Sequence, residues 1–174
     1  MARGVTVKPY LLTVEALTPE GFAPYGQLIA ALATSGQGKN EPYDPESNPA
    51  EAQLVLTNGK PRLWLMKSKG MGTKFTHIAR HRKVTQCLAA MGGKDWLIAV
   101  APAGDPSDAA RPSLSDLRAF RVSGDQAIML NVGTWHAGPH YIHQECLFFN
   151  LENMDTGERD FHQVDLGVEC HYQL

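Results

Sequence analysis

The sequence predicts an all-β protein folded as an antiparallel sandwich or a closed barrel. Short apolar runs of strand length succeed one another along most of the chain, and they are rich in β-branched, aromatic and leucine residues. The segments between these runs carry the Gly, Pro, Asn or Asp residues that turns need. Helical signals are confined to one short segment near the start. About eight short strands at such a spacing are typical of sandwiches and barrels.

The first predicted element is a short capped helix. Thr18 can act as its N-cap, Pro19 suits the first helical position, and Glu20 places a negative charge in the first turn. Pro24 and Gly26 follow at once and stop the helix. The helix is therefore expected to be only about one turn long.

The strands are predicted after a polar stretch rich in Pro and Gly, residues 35–49, which indicates an excursion loop. In chain order the predicted strands are QLVLT, RLWLM, KFTHIAR, TQCLAAM, DWLIAVA, LRAFRV, QAIML and ECLFFNLE. The predicted turns are NGKP, KGMG, GGKD, PAGDPSDAARP, SGDQ and HAGPH. The tail, DFHQVDLGVECHYQL, is interpreted as a surface strand with solvated polar residues, and a second metal cluster built on its histidines is the alternative.

Composition narrows the classes of partner. The chain has 174 residues, 43% hydrophobic and 20% charged, which fits one domain with a substantial core. The formal net charge is −2 and the sixteen Lys and Arg residues are scattered, so nucleic acid and membrane are not expected as partners. No apolar run approaches the ~18 residues of a membrane span, and the start lacks a leader pattern. We therefore expect a cytoplasmic protein with a small polar ligand.

Three cysteines, Cys87, Cys146 and Cys170, are odd in number and unclustered. Two of them lie in apolar, strand-like runs. This pattern favours buried, reduced thiols over a disulfide framework or a thiolate zinc site.

Two pairs of histidines stand out, His77 with His81, and His136 with His140 in the segment NVGTWHAGPH. Imidazoles from different strands of a small barrel can converge on one interior point and hold a metal ion. The plainer interpretation is that they are surface or hydrogen-bonded core histidines. On one extended strand, His77 and His81 would lie ~13 Å apart, so both cannot bind one ion. That limit is weaker for the second pair, because a Gly-Pro step between them can bend the chain.

Four segments resemble the ureidoglycolate lyases, which are cupins: LTPEGFAPYGQLI, RHRKVTQCLAAMGGKDWLIAVAPAGD, DLRAF and GTWH. They cover most of the chain in the right order. The resemblance implies a cupin-like double-stranded β-helix, a jelly-roll barrel with a short N-terminal helix, as a single cupin domain over residues 1–174. It also implies a homodimer and an enzyme that converts a small ureido hydroxy acid into glyoxylate and urea.

The first cupin motif falls on the segment that begins at Ala79. That residue occupies the position of the motif's first histidine. The second histidine falls on His81, the glutamate on Gln86 and the glycine on Gly93. One imidazole is therefore missing, and an amide stands where an acid is usual.

The second cupin motif falls on Gly133 and His136, with His140 at its trailing asparagine position. The resemblance thus implies a divalent ion, Ni, Mn or Zn, held by His81, His136 and Gln86. By the two-residue period of a strand, we expect His136 to face the barrel interior together with His81, and Trp135 to face the opposite side.

The reaction implied by the resemblance is an elimination from a hemiaminal. A bound ion would chelate the α-hydroxy carboxylate and lower the pKa of the hydroxyl. His140 or His77 would take or give the proton, because an imidazole titrates near working pH.

The family carries a basic residue before the GTWH glycine and an Asp-Arg pair on the following strand, where this chain has Val132 and Glu152-Asn153. A substrate carboxylate normally needs a cation to hold it. Lys94 and Arg118 are the predicted replacements, and ordinary solvated charges are the alternative.

Trp135 is predicted to form a wall of the substrate pocket, and simple core or rim packing is the alternative. Two other functions stay open at this stage. One is a divergent cupin enzyme acting on another small hydroxy or oxo acid. The other is a non-catalytic cupin that binds a small ligand.

Overall fold

A computed structural model describes residues 8–30, 50–56, 59–69 and 72–174, and this part of the chain contains eleven strands in two sheets. The strands are β1 (Tyr10–Ala16), β2 (Gly26–Ala30), β3 (Pro61–Lys69), β4 (Lys74–Arg80), β5 (Gln86–Ala90), β6 (Trp96–Ala101), β7 (Arg118–Val122), β8 (Gln126–Leu130), β9 (Trp135–His140), β10 (Glu145–Asn153) and β11 (His162–Gln173). Two one-turn helices, α1 (Pro19–Phe22) and α2 (Thr156–Arg159), and a 3-10 turn (Leu114–Asp116) connect them.

One sheet closes on itself as a barrel in the order β1-β11-β4-β9-β6-β7. Strand β1 completes the closure by pairing in parallel with both β11 and β7, whereas the other pairs are antiparallel. The second sheet is antiparallel, in the order β2-β8-β5-β10-β3. The all-β prediction is confirmed, and the arrangement agrees with a cupin jelly roll.

Strand β6 separates two apolar layers, and its six residues are all buried. Leu97, Ala99 and Ala101 join a cluster drawn from strands of the closed barrel, which we call the barrel core. The alternate residues of β6 join a second cluster with β2, β5, β8 and β10, which we call the inter-sheet core. Side chains on the barrel strands can therefore face either of two interiors, and adjacent residues face different ones.

The predicted helix is confirmed as α1. Thr18 Oγ1 accepts a hydrogen bond of 3.1 Å from the backbone N–H of Gly21, and Pro19 is the first helical residue. None of the helices in the described part of the chain is long and apolar enough to cross a membrane. All three cysteines are free, as predicted. Burial raises the pKa of the Cys87 thiol to about 12, which makes it unreactive.

The strand prediction was wrong in four places. Strands β1 and β2 were not predicted. The run QLVLT forms no strand over residues 53–56, where the backbone of Val55 exchanges hydrogen bonds with Thr85. The predicted turn HAGPH lies within β9, because Gly138 adopts φ 131° and the register with β6 shifts at that point. The loop predicted for residues 35–49 lies outside the described residues.

The tail is a strand whose polar residues Gln163, Asp165 and Gln173 are exposed, as predicted, but its other face is buried. As β11 it closes the barrel between β1 and β4, and Cys170 and Tyr172 belong to the barrel core. His171 pairs with Glu169, and His162 accepts a hydrogen bond from Arg80. In the part of the chain that the structure covers, no group of three or more His, Cys, Asp and Glu side chains is arranged to hold a metal ion.

Candidate active site

Three of the predicted site residues lie together at one end of the inter-sheet core. His136 lies on β9 opposite Val100 of β6, His81 directly follows β4, and Gln86 begins β5 in the second sheet. The ring centroids of His81 and His136 are 5.2 Å apart. With four neighbours these residues line a narrow cleft, which we call the histidine cleft: Val84, Leu130, Asn131 and Thr134. The structure thus brings the two cupin histidines and the amide to one place.

His136 and Trp135 face opposite sides of β9. Trp135 lies in the barrel core, where the Arg80 guanidinium stacks on its ring at 4.3 Å. His136 faces the second sheet. The interior that His136 faces is therefore the space between the two sheets. Trp135 does not line the histidine cleft, and it does not line the larger cavity next to that cleft.

Hydrogen bonds orient both imidazoles. His81 Nδ1 donates to the backbone carbonyl of Asp160 at 2.9 Å, and His136 Nδ1 donates to the carbonyl of Thr134 at 3.2 Å. A carbonyl oxygen only accepts, so Nδ1 of each ring carries a hydrogen, and Nε2 is the atom that can offer a lone pair to a metal ion. This is the usual state of histidines that bind a metal through Nε2.

The environment of His136 keeps its imidazole neutral. Burial, and secondarily the nearby His81, lower the pKa of His136 to about 3. The Nε2 lone pair is therefore unprotonated throughout the physiological range. A neutral imidazole is the form that coordinates metal ions.

Gln86 contributes an oxygen without a partner. Its Nε2 donates to Glu152 Oε2 at 3.0 Å and to Asn150 Oδ1 at 3.3 Å. Because a carboxylate only accepts, these bonds identify the nitrogen end of the amide. Oε1 is buried and has no hydrogen-bond partner among the described residues. An unpaired buried carbonyl is costly, so Oε1 is the atom of this site that most needs a ligand.

Glu152 orients the side-chain amide of Gln86. Its Oε1 accepts from Arg62 at 2.8 Å and from Trp64 Nε1 at 3.2 Å, while Oε2 receives Gln86. Glu152 is 4% exposed, so its carboxyl group is buried and accepts hydrogen bonds from three donors. The histidine cleft therefore has two oriented imidazoles and one oriented amide as possible ligands, and none of the described residues that line it is an acid.

A larger cavity of about 390 Å³ lies beside the histidine cleft, and we call it the adjacent pocket. Val84 lines both spaces, and Asp160, whose carbonyl binds His81, lines the pocket. Its other lining residues are Lys83, Asn153, Asp155, Thr156 and Arg159. The pocket is large enough for a small organic acid, whereas the cleft is too narrow for one.

The two predicted proton-transfer residues lie elsewhere. His77 is exposed on β4 and contacts Thr76. His140 is buried in the barrel, where its Nδ1 contacts the Tyr172 hydroxyl at 3.0 Å and its ring stacks on Phe75. Burial lowers the pKa of His140 to about 4. Neither residue lines the histidine cleft or the adjacent pocket.

The two predicted substrate cations are also engaged elsewhere. Lys94 Nζ donates to the carbonyl of Glu145 at 2.8 Å. Arg118 forms a two-pronged ion pair with Glu15 on β1. The structure does not bring them to the histidine cleft or to the adjacent pocket.

Comparison with known proteins gives the family. The family model described as ureidoglycolate lyase matches residues 9–172. The chain belongs to this family. It is similar to the ureidoglycolate lyase of Stutzerimonas stutzeri strain A1501, with 28% identity over 154 residues, covering 84% of this chain and 85% of the relative. It also resembles the ureidoglycolate lyase of Burkholderia mallei strain NCTC 10229, with 30% identity over 132 residues and 72% coverage of each chain.

Within this ureidoglycolate lyase family member, two sets of site residues are not evident from the sequence pattern. In the sequence, Glu152 is notable only because the family has a different residue at that position. An acidic residue at the end of a strand rich in buried residues could nevertheless have indicated a site residue. Lys83 and Arg159 are marked by no local pattern. They meet because His81 bonds to the backbone of Asp160, which joins two segments 79 positions apart.

Proposed function

We propose that this protein is a ureidoglycolate lyase that cleaves ureidoglycolate to glyoxylate and urea with the help of a divalent metal ion. The observation that carries the proposal is the histidine cleft, with two Nε2 lone pairs and an unpaired Gln86 Oε1, in a chain matched by the family over residues 9–172. The names of its relatives support the substrate.

His81, His136 and Gln86 would hold the ion, through two imidazole nitrogens and one amide oxygen. Nickel, manganese and zinc all accept such nitrogen and oxygen donors. When bound, the ion would supply Lewis acidity that lowers the pKa of the substrate's hydroxyl. Because all three protein ligands are neutral, we expect weaker binding than at a site with a carboxylate.

The residues of the chain would bind and orient the acid beside the histidine cleft. In the net reaction the C2 hydroxyl loses its proton, C2 and this oxygen form a carbonyl, the bond from C2 to the ureido nitrogen breaks, and the nitrogen gains one proton. Atoms and charge balance without an oxidant or a second substrate. His77 and His140 have no part in this proposal, because neither lines the histidine cleft or the adjacent pocket.

We also propose that the protein is cytoplasmic, that it acts on a small carboxylic acid without a nucleic acid or membrane partner, and that it is a homodimer. The outer face of the second sheet supports the dimer. Leu63 and Leu65 of β3 are 65% and 50% exposed, and Leu147 and Phe149 of β10 lie beside them. A second copy that packs the same outer face against this one about a two-fold axis would cover these side chains.

Sedimentation at micromolar concentration should therefore give a dimer, and Phe149→Asp should shift the protein to monomer because a charge would be buried in the contact. Lys74→Asp, on an exposed position of the barrel, is the control and should leave the dimer intact. A wild-type monomer, or a Phe149→Asp dimer, would contradict this interface.

The activity is tested directly. Purified protein supplied with Ni²⁺, Mn²⁺ or Zn²⁺ should release glyoxylate and urea from ureidoglycolate in equal amounts and above the spontaneous rate, and chelation should remove the excess. If no ion supports the reaction although one binds stoichiometrically, a divergent cupin enzyme for another acid takes the place of this proposal. Ligand binding with neither metal nor turnover would instead indicate a non-catalytic cupin.

A further inference from the structure

Lys83 and Arg159 both line the adjacent pocket and bring two positive charges to it. Lys83 Nζ donates to the backbone carbonyl of Arg159 at 3.1 Å, which holds the ammonium group next to that residue. Among the described residues, neither side chain forms an ion pair with a carboxylate. The carboxylates of Asp155 and Asp160 line the same pocket, but neither is ion-paired with these cations, so a bound anion would give both cations a direct partner.

Asp160, one of the two acidic residues among the described residues that line the pocket, has both carboxylate oxygens engaged by backbone groups. The two carboxylate oxygens of Asp160 accept the backbone N–H groups of Arg82 and Lys83, at 2.8 and 3.0 Å. They are therefore turned toward the backbone at residues 82–83. The Thr156 hydroxyl, 1% exposed, also lines the pocket and has no hydrogen-bond partner in the described part of the chain. The pocket thus combines two cations, a hydroxyl without a partner among the described residues, and the carboxylate of Asp155.

We propose that Lys83 and Arg159 bind the carboxylate of the substrate in the adjacent pocket, with Thr156 as a further hydrogen-bonding group. This proposal rests on the proposed function, because it names the cations that hold the carboxylate of ureidoglycolate. Lys83 and Arg159 thus take the substrate-binding role that was predicted for Lys94 and Arg118. A carboxylate has two oxygens, so one can contact these cations while the C2 hydroxyl lies toward the histidine cleft. Asp155, on the same pocket, is an acceptor for the N–H groups of the ureido end.

Glyoxylate is the probe, because it carries the carboxylate of the substrate but lacks the ureido group. We would titrate glyoxylate into the wild type, Lys83→Gln and Arg159→Gln by calorimetry, with Mn²⁺ present. Arg121→Gln is the matched control, since Arg121 is exposed and paired with Asp95 away from both spaces. Both pocket positions are exposed, so the variants should fold normally, and thermal melting would verify this.

Each pocket variant should bind glyoxylate about 10-fold to 100-fold more weakly, as expected for the loss of a charge-assisted hydrogen bond, and the control should match the wild type. The KM for ureidoglycolate should rise in the same proportion with a smaller change in kcat, because the carboxylate is held in ground and transition states alike. Inhibition by urea should not change.

Unaltered glyoxylate binding in both pocket variants, or no binding by the wild type, would overturn the subsite. The two proposals fail separately. If the wild type is active and neither substitution changes the KM, the lyase function stands and the subsite is refuted. If the wild type is inactive but its glyoxylate binding depends on Lys83 and Arg159, the anion subsite stands and the lyase function is refuted.

Discussion

Replacing His136 with alanine should abolish metal binding and the release of glyoxylate. The substitution removes one of only two imidazoles in the histidine cleft, and the remaining His81 and Gln86 cannot hold an ion by themselves. Loss of a group that merely orients a ligand typically costs 10-fold to 100-fold in metal affinity, so loss of the ligand itself should exceed about 100-fold. Metal content by mass spectrometry and the rate of glyoxylate formation provide the two measurements.

His143→Ala is the control for this experiment. His143 lies at the other end of β6, where its Nε2 contacts the carbonyl of Asp95, and it is only partly buried. It should change neither metal binding nor activity. His136 is 8% exposed, so its replacement by alanine leaves a small cavity and should cost about 1–3 kcal/mol of stability. His136→Leu fills that space without a ligand atom and separates the two effects.

A His136→Leu protein that melts like the wild type but still binds stoichiometric metal and turns over ureidoglycolate would refute the metal site. If both variants unfold while the ligand affinity of the folded fraction is unchanged, His136 is a structural residue of the inter-sheet core.

The free energy of unfolding should fall steeply below pH 6.5. Burial lowers the pKa of His140 to about 4, whereas the same imidazole in the unfolded chain titrates near 6.5. Below pH 6.5 the unfolded state binds a proton that the folded state refuses, so protonation favours unfolding until the pH reaches the folded pKa. At about 1.4 kcal/mol per pH unit, His140 alone should cost about 3 kcal/mol between pH 6.5 and 4.

That loss is a large share of the roughly 5–15 kcal/mol that stabilises a typical domain. Urea denaturation of metal-free protein at pH 7 and pH 4.5 measures it. His140→Phe should roughly halve the slope of the pH dependence, because phenylalanine can still stack on Phe75 and cannot be protonated, whereas His136, whose pKa burial lowers to about 3, still contributes. His77→Phe is the control, since His77 is exposed, and it should leave the slope unchanged. Equal slopes in the wild type and His140→Phe would show that His140 does not control acid stability.

The sequence alone predicted the fold class and most of the strands. The alternation of apolar residues and the residues of turns are local features, which can be recognised from neighbouring positions along the chain. It failed where a partner far along the chain decides the structure. Strand β1 is held by parallel pairing with β7 and β11, more than a hundred positions away. HAGPH contains the residues of a turn, yet a shift in register with β6 accommodates it within a strand.

The same distinction applies to the site. The resemblance to the cupin motifs selected His81, Gln86 and His136, because a family motif records positions along the chain. Only the tertiary structure decided that Glu152, Arg62 and Trp64 orient Gln86, and that Lys83 and Arg159 share a pocket. Arg62 and Glu152 are 90 positions apart and meet through the pairing of β3 with β10. Side-chain contacts between distant segments depend on strand register and burial, which no local pattern of residues contains.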